Sequence, residues 1–133
     1  MKLDITTLRS LTDELRLPSR LTADNDLYVN IASDGDFPYE TVVCIMIEHG
    51  CRLSFVGMAP EYEPAGDLLF LANRSNRRNY VPTAVVRDGR IHMEYSFYIN
   101  EDVSREFIKE DCLLVTLEGI SNAFANLEKD NIE

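Results

Sequence analysis

The feature that most constrains this chain is an Asp88-Gly89 pair between two runs of alternating apolar and polar residues. Both residues can adopt the positive φ angles that a type I′ turn requires, so the pair predicts a β-hairpin with a two-residue turn. The predicted strands cover residues 80–87 and 90–99. Closing the turn at this point sets the register, with four predicted pairs: Val86 with Ile91, Ala84 with Met93, Pro82 with Tyr95, and Tyr80 with Phe97.

One face of this predicted hairpin is almost wholly apolar, whereas the other is mostly polar and includes His92 and Glu94. Such alternation is typical of an antiparallel ribbon that packs one face on a core. The core face would carry Tyr80, Pro82, Ala84, Val86, Ile91, Met93, Tyr95, Phe97 and Ile99. His92 is therefore expected to point away from the core.

Three helices are predicted from cap residues and apolar spacing. They begin beside Asp4, Pro64 and Ser104, each of which suits the start of a helix. The middle helix contains an apolar run over residues 68–72 that covers nearly its whole circumference, which indicates burial inside the chain or against a second subunit. Residues 128–133 are expected to be a frayed tail.

The last helix contains two apolar stripes that do not share one face. The stripe that begins at Leu113 is out of phase with Phe107 upstream. We therefore expect this helix either to bend near Gly119 or to be irregular near Asp111.

Three strands are predicted between the first two helices, over about residues 27–31, 40–48 and 51–57, with turns at residues 34–36 and at His49-Gly50. With a two-residue turn at His49-Gly50, Met46 would face Leu53 and Cys44 would face Phe55. The opposite face of the middle strand would then carry Val43, Ile45 and Ile47. A strand that is apolar on both faces needs cover on both faces.

The predicted order of elements is α-β-β-β-α-β-β-α. Runs of hairpin strands with helices at the ends and in the middle favour an α+β fold with a mainly antiparallel sheet, similar in type to a type III secretion chaperone. At 133 residues the chain is expected to form a single domain over residues 1–133.

The charge balance narrows the classes of partner. The chain has 23 acidic residues against 13 Lys and Arg, and its net charge is −10. Nucleic acids and anionic membrane surfaces bind through Lys and Arg, so neither is expected as a partner. No apolar run is long enough for a membrane helix, and the N-terminus resembles no signal peptide, so a cytoplasmic location is expected.

Three groupings of reactive side chains have a simpler structural explanation. The three cysteines are too few and too widely spaced for a zinc site, and the carboxylates suit the start of a helix. The groupings are Cys44, His49 and Cys51 as metal ligands, Cys112 with His92 as a nucleophile pair, and Glu61, Glu63 and Asp67 as acid–base carboxylates. The sequence thus predicts no metal, no cofactor and no catalytic residue.

A cluster of basic side chains stands out on this acidic chain: Arg74, Arg77 and Arg78, with Arg87 and Arg90. Basic residues near a helix C-terminus complement the helix dipole, which explains the first three. A site for an anion or an acidic peptide, or a salt-bridged dimer contact, is the alternative. Asn73 and Asn76 are expected to bind free backbone groups at the helix end.

Three segments give the chain a likeness to a known family: residues 71–78, 85–91 and 103–108. Together with the order of elements they resemble the YbjN domain family, which is similar to bacterial type III secretion chaperones such as the Tir chaperone. The resemblance implies a small, acidic, dimeric binding protein of bacteria, often labelled a sensory transduction regulator, and it supplies no catalytic residue. Whether the role is that of a secretion chaperone or of a regulator stays open.

The sequence therefore predicts a non-enzymatic, protein-binding homodimer that takes another protein or peptide as its partner. The alternative is a small enzyme or ligand-binding protein with an unrecognised pocket. Candidate residues for the dimer or partner contact are those of the two-sided strand, the apolar helix and its basic end: Val43, Ile45, Ile47, Leu68, Leu69, Phe70, Ala72, Arg74, Arg77 and Arg78.

Overall fold

The computed structural model describes residues 3–32, 37–79, 81–100 and 102–132. The predicted turn at residues 34–36 and Tyr80 lie outside the described residues. In chain order the described elements are α1 (Ile5–Glu14), β1 (Ser19–Leu21), β2 (Leu27–Ile31), β3 (Thr41–Glu48), β4 (Arg52–Met58), α2 (Leu68–Arg78), β5 (Thr83–Arg87), β6 (Arg90–Tyr98), a π-helical segment (Phe107–Leu114) and α3 (Val115–Ile132).

The strands form a six-stranded sheet in the order β1-β2-β3-β4-β6-β5. Every neighbouring pair is antiparallel, so the predicted α+β class is confirmed. The short strand β1 was not predicted; its three residues pair with β2 and extend the sheet by one strand.

The hairpin of β5 and β6 has the predicted register. Val86 pairs with Ile91 and Ala84 with Met93. Asp88 and Gly89 have φ angles of 52° and 73°, as a type I′ turn requires. Ladder pairing begins at Thr83, so the predicted pair of Pro82 with Tyr95 is wrong. Pro82 lies in the bend that precedes β5.

The predicted register of β3 and β4 is wrong by one residue. The turn contains three residues, because Cys51 joins His49 and Gly50 in it, and Glu48 then pairs with Arg52. Both His49 and Gly50 have positive φ angles, 55° and 72°. As a result Ile45 faces Phe55 and Ile47 faces Leu53. A slip of one residue moves every side chain to the other face of the sheet.

All the described helices contact one face of the sheet and one another. The buried core lies between these two layers and includes Leu8, Leu27, Val43, Ile45, Leu53, Phe55, Met93, Ile108, Ile120 and Phe124. Helix α3 lies directly on β4, because Gly57 has no side chain at the contact. A Cβ at Gly57 would lie 2.6 Å from Cγ2 of Ile120.

The last helix is irregular near Asp111, as the phase shift in its apolar residues predicted. Residues Phe107–Leu114 form π-helical turns that continue directly into α3. The hydroxyl of Ser104 accepts a hydrogen bond from the Phe107 N–H at 3.1 Å and so caps the segment. The wider turn rotates the helix, so that Ile108 and Leu113 both reach the core.

Of the tail expected to fray over residues 128–133, residues 128–132 belong to α3, and Glu133 lies outside the described residues. The side chain of Asp130 is only 3% exposed and lies 3.0 Å from Arg78 Nη2 and 3.7 Å from Arg74 Nε. One residue later, the Asn131 carbonyl oxygen Oδ1 accepts a hydrogen bond from the Gly66 N–H at 2.9 Å. The end of the chain is thereby attached to both ends of α2.

Replacing Asp130 with alanine should destabilise the fold by about 1–3 kcal/mol, because the substitution removes a buried carboxylate and leaves two arginines without their partner. Lys129→Ala is the matched control at a neighbouring exposed position and should change the free energy of unfolding by less than about 0.5 kcal/mol. Urea unfolding followed by circular dichroism measures both. Equal effects of the two substitutions would contradict the role given to Asp130.

Replacing Gly89 with valine should destabilise the fold by about 1–3 kcal/mol, because a β-branched residue is strained at a φ angle of 73°. The space around Gly89 is open, so the cost comes from the backbone alone. Gly89→Asn is the control, since asparagine tolerates left-handed geometry. Urea unfolding of both variants tests this, and a valine variant as stable as the asparagine variant would refute it.

Candidate functional site

The three cysteines lie in three different environments. Cys44 is half-buried on β3, Cys51 is exposed in the turn before β4, and Cys112 is buried in the π-helical segment. His92 lies on the face of β6 that points away from the helices, so the sheet separates it from Cys112. Among the described residues no three His, Cys, Asp or Glu side chains come together in a way that could hold a metal ion.

The buried thiols are poor nucleophiles at neutral pH. Burial, with a smaller effect of the Asp111 charge, raises the pKa of Cys112 to about 11. Burial also raises the pKa of Cys44, although the neighbouring Tyr28 phenol partly offsets this. Since the thiolate is the reactive form, neither group is prepared for covalent chemistry.

The acidic residues near the start of α2 have a structural explanation. Asp67 is the N-cap of this helix, and its Oδ1 accepts a hydrogen bond from the Phe70 N–H at 3.2 Å. Glu61 and Glu63 are exposed. The position of Asp67 satisfies a free helix N–H and places a negative charge at the positive end of the helix dipole.

The predicted basic cluster is mostly engaged by the protein itself. Arg74 and Arg78 contact Asp130, as described above. Arg87 Nε lies 2.9 Å from a Glu94 carboxylate oxygen, and Arg90 Nη1 donates to the Pro60 carbonyl at 2.5 Å. Arg77 is exposed. The arrangement therefore connects α2 to α3 and β5 to β6 and gathers no set of free cations around one point.

Asn76 has a role that the sequence did not predict. Its amide Nδ2 donates to the Ala84 carbonyl at 3.0 Å, and its Oδ1 accepts from the Ala84 N–H at 2.6 Å. Ala84 pairs with Met93 three residues from the turn-closing pair of Arg87 and Arg90, and this odd spacing makes it a pair that exchanges no hydrogen bonds, so the backbone groups of Ala84 point away from β6. Asn76 therefore hydrogen-bonds to the edge of β5 as a neighbouring strand would. At the C-terminal end of α2 it is the Asn79 amide that donates a hydrogen bond to a free carbonyl, that of Ser75.

Replacing Asn76 with alanine should destabilise the fold by about 1–3 kcal/mol, because two backbone groups at the edge of β5 lose their partner. Asn73→Ala removes the same side chain from an exposed position of the same helix and should cost less than about 0.5 kcal/mol. Urea unfolding compares the two. If Asn73→Ala is the more damaging substitution, the role assigned to Asn76 is wrong.

Helix α2 exposes two large apolar side chains. Leu69 is 66% exposed and Phe70 is 61% exposed, whereas Leu71 and Ala72 are buried against the rest of the chain. Leu68 is partly buried and packs on the core. The predicted all-round apolar helix is therefore covered on one side only. We call Leu69 and Phe70 the α2 surface.

The two-sided strand β3 is also covered on one side only. The corrected register puts Val43 and Ile45 fully into the chain's own core, with Ile47 packed at its margin, so the first two are not available to a partner. The opposite side of the sheet carries a second set of half-buried apolar residues. We call it the open sheet face, defined by Val42, Cys44, Met46, Val56, Met58 and Val85.

The described surface includes two hollows whose linings mix apolar and polar side chains. One of about 380 Å³ is lined mainly by apolar side chains, among them Leu17, Ile31 and Leu117. The other, of about 410 Å³, lies between Tyr62 and the turn at Asp88 and Gly89. The ionisable side chains that line the second hollow, Glu63, Asp88 and Arg90, are all exposed to solvent.

Tyr62 was not singled out from the sequence, yet it closes one end of the core. Its ring lies edge-on to Phe37, with the ring centres 5.1 Å apart, and Phe37 stacks on Phe124. Burial, reinforced by the carboxylate of Glu128, raises the pKa of the Tyr62 phenol above its ordinary value. The phenol therefore stays protonated and serves packing.

No model of a known protein family matches this chain, and no curated protein matches it either. Over the described residues, no helix combines the length and the apolar character needed to cross a lipid bilayer.

Proposed function

We propose that this protein is a non-enzymatic binding module of the cytoplasm, which acts as a homodimer and takes another protein or peptide as its partner. One observation carries the proposal: among the described residues, the helices cover one face of the sheet, and apolar side chains remain exposed on α2 and half-buried on the other face of the sheet. Leu69 and Phe70 are both more than 60% exposed. Apolar patches of this kind mark contacts with other proteins.

The chemistry of the described residues supports a binding role over a catalytic one. The cysteines lie in three different environments, Asp67 caps α2, and the carboxylates that line the hollow beside Tyr62 are exposed to solvent. The likeness to the YbjN domain family and to type III secretion chaperones, carried by residues 71–78, 85–91 and 103–108, points in the same direction.

The α2 surface suits a partner protein. Leu69 and Phe70 lie exposed in the first turn of α2. This helix is fixed to β5 through Asn76 and to α3 through Arg74 and Arg78. A rigid helix with exposed apolar anchors loses little conformational entropy on binding. An apolar segment with basic flanks would gain further from a net charge of −10.

We expect the purified chain to be a dimer at micromolar concentration, because a single copy leaves two apolar surfaces in contact with water. Light scattering coupled to gel filtration gives the mass directly. A chain that stays monomeric up to about 100 μM would contradict the proposed homodimer; Kd values weaker than this correspond to less than roughly 5.5 kcal/mol.

A further inference from the structure

The open sheet face is a surface that the described helices leave uncovered. All three helices and the π-helical segment lie in one layer, joined by Arg105 to Glu14 and by Arg78 to Asp130. Along each strand the alternate side chains point away from that layer. The apolar side chains of this face, which include Val42, Val56 and Met58, are half-buried. They share the face with polar groups, among them Ser54, which is 4% exposed and whose hydroxyl lies 3.2 Å from that of Ser96.

Charge distinguishes this face from the rest of the chain. The positive charges on this face are those of Arg20, Arg52, Arg87 and Arg90. The negative charges are those of Glu48, Glu94 and the adjacent Asp26. The whole chain has a net charge of −10. Two copies of an acidic protein repel each other, and they approach at least cost through a face that is not itself acidic.

The edges of the sheet are poorly suited to association. Asn76 already binds the outward N–H and C=O of Ala84 on the edge strand β5. The opposite edge, β1, is only three residues long. Short strands and side chains that cover an edge prevent the addition of a further strand.

The size of the open sheet face matches what a dimer needs. Strands β3, β4 and β6 are eight, seven and nine residues long. With β2 and β5 they span roughly 550 Å² in projection, at about 4.8 Å between strands and 3.3 Å per residue. A standard interface takes about 800 Å² of accessible surface from each partner, and accessible area exceeds projected area. Tyr98, which is 81% exposed, adds an aromatic anchor at one corner.

We infer that the open sheet face binds the open sheet face of a second copy of this chain, so that two sheets pack face to face about a two-fold axis. The inference rests on the proposed function, since it names the surface of the proposed homodimer. It leaves the α2 surface free for the partner protein. Two sheets packed this way lie about 10 Å apart, with their inner side chains interdigitated.

The test places one lysine on each surface and measures the dimer dissociation constant by sedimentation equilibrium. Val56→Lys puts a charge at the centre of the open sheet face of both copies and should weaken the dimer at least about a hundredfold. Tyr98→Lys changes an exposed residue on the same face and should weaken it about tenfold. Leu69→Lys makes the same change in charge on the α2 surface and should leave the constant unchanged.

Each outcome decides the inference. If both open-face variants keep the wild-type constant, or if only Leu69→Lys dissociates the dimer, the interface lies elsewhere and the inference is overturned while the homodimer stands. If the wild-type chain is monomeric, the proposed homodimer fails and the inference with it. Circular dichroism checks folding, and Tyr98→Lys decides the question should Val56→Lys not fold, because Tyr98 is 81% exposed.

Discussion

The turn formed by His49, Gly50 and Cys51 determines which side of β3 and β4 meets the helices. With three residues in the turn, Ile45 and Phe55 face each other in the core, and Cys44 and Val56 face each other on the open side. A two-residue turn would place Cys44 opposite Phe55, so that the core residues of β3 and β4 would lie on opposite faces of the sheet, because side chains alternate along a strand. The burial of the core, the fit of Ile120 over Gly57 and the composition of the open sheet face all depend on this register.

The helical layer is held together by contacts that join distant parts of the sequence. Asp130, near the end of α3, is buried against two arginines of α2. Asn76 of the same helix binds the backbone of β5. Helix α2 is therefore fixed on both sides, which leaves Leu69 and Phe70 exposed on a rigid support. A surface of this kind presents its anchors without rearrangement on binding.

The sequence predicted the elements that depend on local chemistry. The hairpin at Asp88 and Gly89 follows from the φ angles these residues tolerate, and the irregular helix near Asp111 follows from the phase of its apolar residues. The α+β class follows from the order of elements.

The predictions from sequence that were wrong or missing concern features that depend on tertiary contacts. His49, Gly50 and Cys51 are compatible with a turn of two or of three residues, and the choice follows from the whole sheet. The Cys51 carbonyl, for example, accepts a hydrogen bond from the Ile99 N–H at 2.7 Å. The residues next to Cys51 in the sequence give no sign of this contact. The ordering of the chain end depends on Asp130 meeting arginines far earlier in the sequence. The role of Asn76 depends on where α2 lies against β5.

The native cysteines test most directly whether a second copy covers the open sheet face, because they lie in three different environments. Cys44 lies on the open sheet face, Cys51 in an exposed turn and Cys112 in the core. The measurement is the rate of maleimide labelling at fixed pH over a range of protein concentrations, read by mass spectrometry. We predict that Cys44 becomes at least about tenfold slower relative to Cys51 as the dimer forms, since a buried interface excludes the reagent. A ratio that stays constant while the dimer forms would contradict the claim that a second copy covers this face.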